Sequence, residues 1–85
     1  MNKNKEASKA AVQRAIDIVG SQLMLSKLLT ASGTKVSQPG VQRWATGSAK
    51  PRLEMAIAIE QLTKGEVKAI DIRPDLSAVL NPQAA

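Results

Sequence analysis

The side chains best suited to molecular recognition lie in one short segment, residues 37–47. It carries two glutamines and an arginine, Gln38, Gln42 and Arg43. A glutamine amide can pair with two atoms of an adenine edge, and an arginine guanidinium can pair with the O6 and N7 atoms of guanine. On most exposed helix faces such groups are simply solvated, so no single one of them indicates a binding site. Their occurrence together on one face does indicate recognition by hydrogen bonding.

Catalytic and metal-binding groups are scarce in the 85 residues. The absence of histidine and cysteine excludes a Ser-His-Asp triad, a thiol nucleophile, a zinc site and a disulfide scaffold. No pair or triad of other catalytic groups has a suitable spacing. We therefore predict that the protein is not an enzyme, has no metal or cofactor and takes no small-molecule substrate.

The distribution of charge points to a polyanionic partner. The net charge is +5, yet no acidic residue occurs between Asp17 and Glu54. That window holds the five basic residues Lys27, Lys35, Arg43, Lys50 and Arg52, and the rest of the chain has seven basic and seven acidic residues. A segment of one sign attracts DNA, RNA or an anionic membrane. The alternative is a basic loop region that has no partner.

The segment at residues 37–47 is predicted to be the second of two helices that are separated by a turn. Ser21 and Ser37 stand where a helix N-cap is favoured, and Gly20 and Gly47 stand where helices end. The small polar residues 30–35 predict the turn between them. This is the plan of a helix-turn-helix, in which the second helix enters the major groove of DNA.

The second of these helices has distinct inner and outer sides. At 100° per residue, Trp44 and Ala45 lie within about 60° of Val41, so we predict that Trp44 is a core residue and not a stacking platform. The outer side then carries Gln38, Pro39, Gly40, Gln42, Arg43 and Thr46. Lys50 and Arg52 follow this helix directly, where a loop would cross the DNA backbone.

Further helices are predicted on both sides of this pair. Apolar spacing predicts a first helix from Ser8, and a fourth that is opened by Pro51 and closed by Gly65. The segment around residues 67–72 fits either a short helix or a β-hairpin. The predicted fold is therefore all-α, with four to five short helices around a small aliphatic core.

The domain organisation is expected to be simple. We predict a flexible N-terminal arm at residues 1–7, a single domain at residues 8–80 and a flexible tail at residues 81–85. The polar first residues and the lack of any apolar run near ~18 residues predict a soluble cytoplasmic protein without a membrane partner.

Four stretches of the chain resemble a known family. They are AIDIVGSQLMLSKLL at 15–29, VSQPGVQRWATG at 36–47, AIAIEQLTKGEV at 56–67 and IRPDL at 72–76. The sequence looks like the Cro-like helix-turn-helix proteins of bacteriophages and prophages, especially the small YdaS-type group of antitoxins and Cro-like repressors. The resemblance covers residues 12–76 and implies a lambda-repressor-like DNA-binding fold and a bacterial host.

The resemblance implies a role for individual residues. Gln38, Pro39, Gln42 and Arg43 would occupy positions that face the bases, and Ser26 the small-residue position where the two helices cross. Combined with the charge pattern, it assigns contacts with the DNA backbone to Gln22, Lys35, Thr46, Lys50 and Arg52. The implied function is repression of transcription at a double-stranded DNA operator.

The sequence departs from the family pattern at two places. The turn at residues 30–35 is several residues longer than the usual L-G-V-S connection, which brings Lys35 towards the backbone. Pro39 stands where the family commonly has a hydrogen-bond donor. Because a residue before proline avoids the helical region, the third helix could instead begin at Pro39 with Gln38 as its cap.

Partners other than an operator remain open at the level of sequence. A homodimer on two-fold DNA is expected, through tail residues that could equally pack on their own domain: Ile70, Ile72, Leu76, Val79 and Leu80. The second function considered is an antitoxin that binds a toxin protein and regulates its own operon. RNA binding is disfavoured because the chain has a single aromatic residue.

Overall fold

The computed structural model describes residues 3–76, which form five α-helices and one 3-10 turn. The elements are α1 Lys3–Val19, α2 Gln22–Ala31, α3 Gln38–Thr46, α4 Leu53–Leu62, α5 Ala69–Ile72 and the 3-10 turn Pro74–Leu76. No strand occurs in this part of the chain. The prediction of an all-α fold with four to five helices is therefore confirmed over the described residues.

Helix α1 starts earlier than the apolar pattern indicates. It begins at Lys3, so residues 3–7, predicted from the sequence to be part of a flexible arm, belong to the helix. This segment contains no glycine or proline, and Glu6 lies in the first turn, where a negative charge favours the helix dipole. The helix ends as predicted before Gly20, whose φ of 115° is left-handed.

The core is aliphatic and is closed by one aromatic ring. Trp44 is 7% exposed, which confirms its predicted place in the core. It shares that core with fully buried residues from every helix: Val12 and Ala15 of α1, Leu25 and Leu29 of α2, Val41 of α3, Ile59 of α4 and Ile72 of α5. Helices α1, α2 and α3 pack against one another, so the position of α3 is set by both of its predecessors.

Serine caps begin α2 and α3, as predicted. The Ser21 Oγ accepts a hydrogen bond from the backbone N of Met24 at 3.1 Å, and the Ser37 Oγ accepts one from the backbone N of Gly40 at 3.3 Å. Because Ser37 is the cap, the alternative in which Gln38 caps a helix that starts at Pro39 is wrong. Pro39 lies in the first turn, where its missing N–H costs no hydrogen bond.

Helix α4 begins two residues later than predicted. Its first residue is Leu53 and its N-cap is Arg52, so Pro51 precedes the helix and does not open it. Pro51 is instead buried in the loop, and its carbonyl accepts a hydrogen bond from Arg73. Gly65, with φ 83°, completes the turn after α4, and its backbone N donates to the carbonyl of Glu60 at 2.8 Å.

The β-hairpin considered for residues 67–72 is wrong, because residues 69–72 form α5. The Glu60 carboxylate accepts from the backbone N of Ala69 at 2.7 Å, and Asp71 Oδ2 accepts from the backbone N of Lys68 at 3.3 Å. These acceptors satisfy N–H groups at the start of a helix, which leaves them unavailable for strand pairing. Ile72 is fully buried in its own domain, so it is not a free dimer contact. Val79 and Leu80 lie outside the described residues.

Candidate nucleic-acid interface

Helix α3 separates its apolar and polar side chains onto opposite sides. Val41, Trp44 and Ala45 are buried. The five other predicted outer-side residues with side chains are all exposed: Gln38, Pro39, Gln42, Arg43 and Thr46. The helix therefore presents two amides and one guanidinium to the surroundings from a face whose reverse is fixed in the core.

Gly40 differs from the other predicted outer-side residues. It is half-buried, and a Cβ placed on it would lie 3.0 Å from Cγ2 of Val36. Such a distance is tighter than ordinary contact. Gly40 thus serves the close packing of α3 on the turn before it, and its assignment to the outer side is wrong.

The long turn between α2 and α3 is fastened to the end of α2. The Thr30 Oγ1 accepts from the backbone N of Val36 at 3.4 Å and is within 3.3 Å of the Val36 carbonyl, to which it donates. The backbone N of Thr34 donates to the Leu29 carbonyl at 2.9 Å. The extra residues relative to the family pattern therefore form a turn that is closed by its own hydrogen bonds, with Lys35 exposed on it.

A hydrogen bond from α1, which was not predicted from the sequence, also holds α3. The Gln13 Nε2 donates to the carbonyl of Ala45 at 2.9 Å. Apolar spacing places Gln13 away from the stripe of Val12 and Ala15 but does not reveal a carbonyl acceptor 32 positions away. No feature of the sequence alone identifies this contact.

The C-terminal end of α3 is closed by a left-handed glycine. Gly47 has φ 84°, and the backbone N atoms of Ser48 and Ala49 both donate to the Arg43 carbonyl, at 3.0 and 3.2 Å. The Thr46 hydroxyl donates to the same carbonyl at 3.2 Å. This arrangement fixes the direction in which the following loop, residues 48–52, leaves the helix.

The basic residues of the acid-free window are not neutralised by ion pairs. Among the described residues the salt bridge found is Arg73 with Asp75, at 2.8 Å, and none of the five window residues takes part in one. Lys27, Lys35, Arg43 and Arg52 are exposed and Lys50 is half-buried. Their positive charges are therefore available to an anionic partner.

The remaining predicted contact residues lie at helix starts. Gln22 is the first residue of α2 and is half-buried. Arg52 is the N-cap of α4, and no side chain there caps the helix. Helix N-termini attract phosphate because their first N–H groups lack partners.

Ser26 is 5% exposed and its hydroxyl donates to the Leu23 carbonyl at 2.8 Å, which fits a position where helices pack closely.

Two other kinds of site are absent from residues 3–76. No three or more acidic, histidine or cysteine side chains gather there in a way that could hold a metal ion. None of the described helices combines the length and the apolar character needed to cross a membrane.

The chain is similar to proteins of known sequence. A family model described as bacterial toxin YdaS matches residues 12–79. A protein of Escherichia coli (strain K12) named "Putative transcriptional regulator YdaS" is 36% identical to the chain over 64 residues, which are 75% of this chain and 60% of that protein. The chain thus spans about 60% of the length of this relative. No solved structure matches the chain.

Proposed function

Because the chain belongs to the YdaS family, whose model matches residues 12–79, we propose that it is a sequence-specific DNA-binding regulator of transcription, a Cro-like repressor of a phage or prophage. The observation that carries the proposal is the two-sided character of α3, with Gln42 and Arg43 exposed and Val41 and Trp44 buried. The name of the Escherichia coli relative supports a regulatory role. The family description refers to a toxin, and the second candidate below takes up a protein partner of that kind.

In the proposed complex, the outer side of α3 lies in the major groove of double-stranded DNA. Arg43 donates to the O6 and N7 atoms of a guanine, and Gln38 and Gln42 pair with adenine edges. Pro39 contacts the methyl group of a thymine. These side chains are exposed before binding, so the protein need not expose them by rearrangement.

Phosphate contacts supply most of the affinity in this proposal. Lys35 reaches the backbone from the turn before α3, and Lys50 and Arg52 reach it from the loop after α3. Gln22 and Thr46 add polar contacts at the ends of α2 and α3. These contacts carry no sequence information. Their role is to fix the orientation of α3 relative to the bases.

A homodimer on a two-fold operator completes the proposal. One helix in one groove gives a small interface, and a second copy doubles it. Of the apolar tail residues within the described part of the chain, Ile70 and Leu76 remain half-buried and available.

A second candidate is an antitoxin that binds a toxin protein and regulates its own operon in a bacterial cytoplasm. The observation that favours a protein partner is the exposure of three large apolar side chains, 43–47% each, around the corner between α1 and α2: Ile18, Leu23 and Met24. Exposed apolar side chains that lie together often mark protein contacts.

The proposal is tested by selection of binding sites from a pool of random duplexes. Repeated cycles of binding and amplification with the purified chain should enrich one motif, and a matched selection with Arg43→Ala should lose preference at one base pair of each half-site. Lys64→Gln, which alters an exposed lysine outside the acid-free window, serves as the control and should return the same motif as the parent. Failure of the parent chain to enrich any motif would contradict sequence-specific binding.

A further inference from the structure

The Arg73-Pro74-Asp75 sequence near the end of the described chain contacts the loop that follows α3. The Arg73 Nη1 donates to the carbonyl of Pro51 at 3.0 Å, across 22 positions. Pro51 is buried, and it lies between Lys50 and Arg52, the two basic residues of the loop. Arg73 thus joins the last helical part of the domain to the middle of this loop.

Asp75 fixes the orientation of the Arg73 guanidinium. The Nε and Nη2 atoms of Arg73 donate to Oδ1 and Oδ2 of Asp75, at 3.0 and 2.8 Å. Two parallel bonds hold the planar guanidinium in one orientation, and the remaining Nη1 then points at the Pro51 carbonyl. A lysine cannot reproduce this arrangement, because its ammonium group is a point charge without a fixed fork.

Lys50 lies close enough to this ion pair to influence it. The pKa of Asp75 is below its ordinary value, mainly because Arg73 hydrogen-bonds to the carboxylate, and the positive charge of Lys50 lowers it further. The loop, the ion pair and the lysine therefore form one cluster. Lys50 belongs to the acid-free window, whereas Arg73 and Asp75 belong to the closing IRPDL sequence, to which the proposed DNA contacts give no role.

The loop has other supports as well: Ala49 packs against the core, Pro51 is fully buried, and the Ser48 hydroxyl donates to the Arg43 carbonyl at 3.3 Å. At its start, the backbone N atoms of Ser48 and Ala49 donate to the Arg43 carbonyl. At its end, Arg52 caps α4 through its backbone, and no side chain assists. Between these points, and among the described residues, the loop backbone makes one hydrogen bond, in which the Pro51 carbonyl accepts from Arg73.

We infer that Arg73 is a positioning residue for DNA binding, which holds the loop at residues 48–52 so that Lys50 and Arg52 meet the DNA backbone, with Asp75 orienting its guanidinium. The inference rests on the proposed function. An ordered loop binds phosphate at lower entropic cost than a mobile one, because less conformational freedom is lost on binding.

Arg14 provides a matched control. It is also an arginine that donates to a backbone carbonyl, from Nη2 to Glu66 at 3.0 Å, and that carbonyl lies in a different turn. Arg73→Met and Arg14→Met each remove one positive charge and one arginine-to-carbonyl hydrogen bond, and Arg73→Met also removes the ion pair with Asp75. Arg73→Lys keeps the charge and replaces Arg73→Met in every measurement if the latter does not fold.

The first measurement needs no DNA. In ¹⁵N relaxation of the free protein, Arg73→Met should lower the order parameters of the Lys50 and Arg52 amides and leave those of the α3 amides unchanged. Arg14→Met should leave the order parameters of the loop and of α3 unchanged. Equal order of the Lys50 and Arg52 amides in the parent chain and in folded Arg73→Met would overturn the inference, whatever the protein binds.

The second measurement is a double-mutant cycle on duplex DNA. Lys50→Ala should weaken binding by about fivefold in the parent chain and in Arg14→Met, but by less than about twofold in Arg73→Met, because the lysine is no longer held in place. The same loss in all three backgrounds would overturn the inference and leave the proposed function intact. Absence of duplex binding by the parent chain would overturn both.

Discussion

Gln13 on α1 and Ala45 on α3 are joined by a hydrogen bond of 2.9 Å, from the side-chain amide to a backbone carbonyl. The Ala45 carbonyl belongs to the last turn of α3, where carbonyls have no partner within the helix. Gln13 therefore satisfies a group that would otherwise be unpaired beside the core. The same contact fixes the rotation of α3 relative to α1, and with it the direction in which Gln42 and Arg43 point.

Gln13→Ala should lower the free energy of unfolding by about 1 kcal/mol, because it leaves the Ala45 carbonyl without its partner. Urea unfolding of the parent and the variant measures the difference. Gln61→Ala, which removes an exposed glutamine from α4, is the control and should change the free energy by less than about 0.5 kcal/mol. Equal stabilities of the two variants would show that the Gln13 contact contributes nothing.

Trp44→Ala should destabilise the domain by about 3 to 5 kcal/mol, since it removes the only large ring from a core of small aliphatic side chains. A domain of this size has little stability to lose, so we expect most of the variant to be unfolded at 37 °C. Thermal unfolding followed by circular dichroism measures this. An unchanged melting temperature together with lost DNA binding would instead place Trp44 at the DNA.

Stability should depend on the charge of Asp75. Its pKa is lowered in the folded state, chiefly by the hydrogen bonds from Arg73. The ionised carboxylate therefore adds to the free energy of unfolding above the pKa of an unfolded aspartate, about 3.9. This stabilisation is lost as the pH falls through the lower pKa of the folded state. The ion pair is partly exposed, at 19% and 29%, so we expect the contribution to be about 0.5 kcal/mol.

The test of that contribution compares the parent with Asp75→Asn in urea at pH 7 and at pH 2.5. The variant should be less stable at pH 7, and the difference should shrink at pH 2.5. Asp17→Asn, in which an exposed aspartate of α1 is changed, controls for the loss of one negative charge. A difference that is the same at both pH values would rule out the ion pair as its source.

The features predicted correctly from the sequence depend on residues close together in the chain. Ser21 and Ser37 cap helices because each hydroxyl accepts from an N–H three positions later, and Gly47 ends α3 because it adopts a left-handed conformation. The burial of Trp44 follows from its spacing from Val41. Such local rules suffice to place α3 and its exposed side chains.

The features that the sequence did not reveal depend on contacts between distant residues. The hydrogen bonds from Gln13 to Ala45 and from Arg73 to Pro51 span 32 and 22 positions. The apolar spacing around residues 67–72 fits a helix or a strand, and the Glu60 carboxylate favours the helix from nine positions away. Only the packed fold brings these partners together.

Binding to DNA should weaken steeply with salt, because the acid-free window carries positive charge that displaces counterions from phosphates. If Lys35, Lys50 and Arg52 each neutralise one phosphate, log affinity should fall against log salt with a slope of about −3 per subunit. Fluorescence anisotropy between 50 and 200 mM salt measures the slope. Lys64→Gln should keep it, and a flat dependence for the parent chain would contradict phosphate binding by these residues.

The central claim is that the outer side of α3 reads DNA bases, and Arg43→Ala tests it most directly. Its affinity, measured by anisotropy on the selected duplex and on a random duplex, is compared with that of Lys50→Ala. Arg43→Ala should cost about 1 to 3 kcal/mol on the selected duplex and much less on the random one, whereas Lys50→Ala should weaken both by similar factors. Equal losses of Arg43→Ala on the two duplexes, or no loss on either, would contradict the claim.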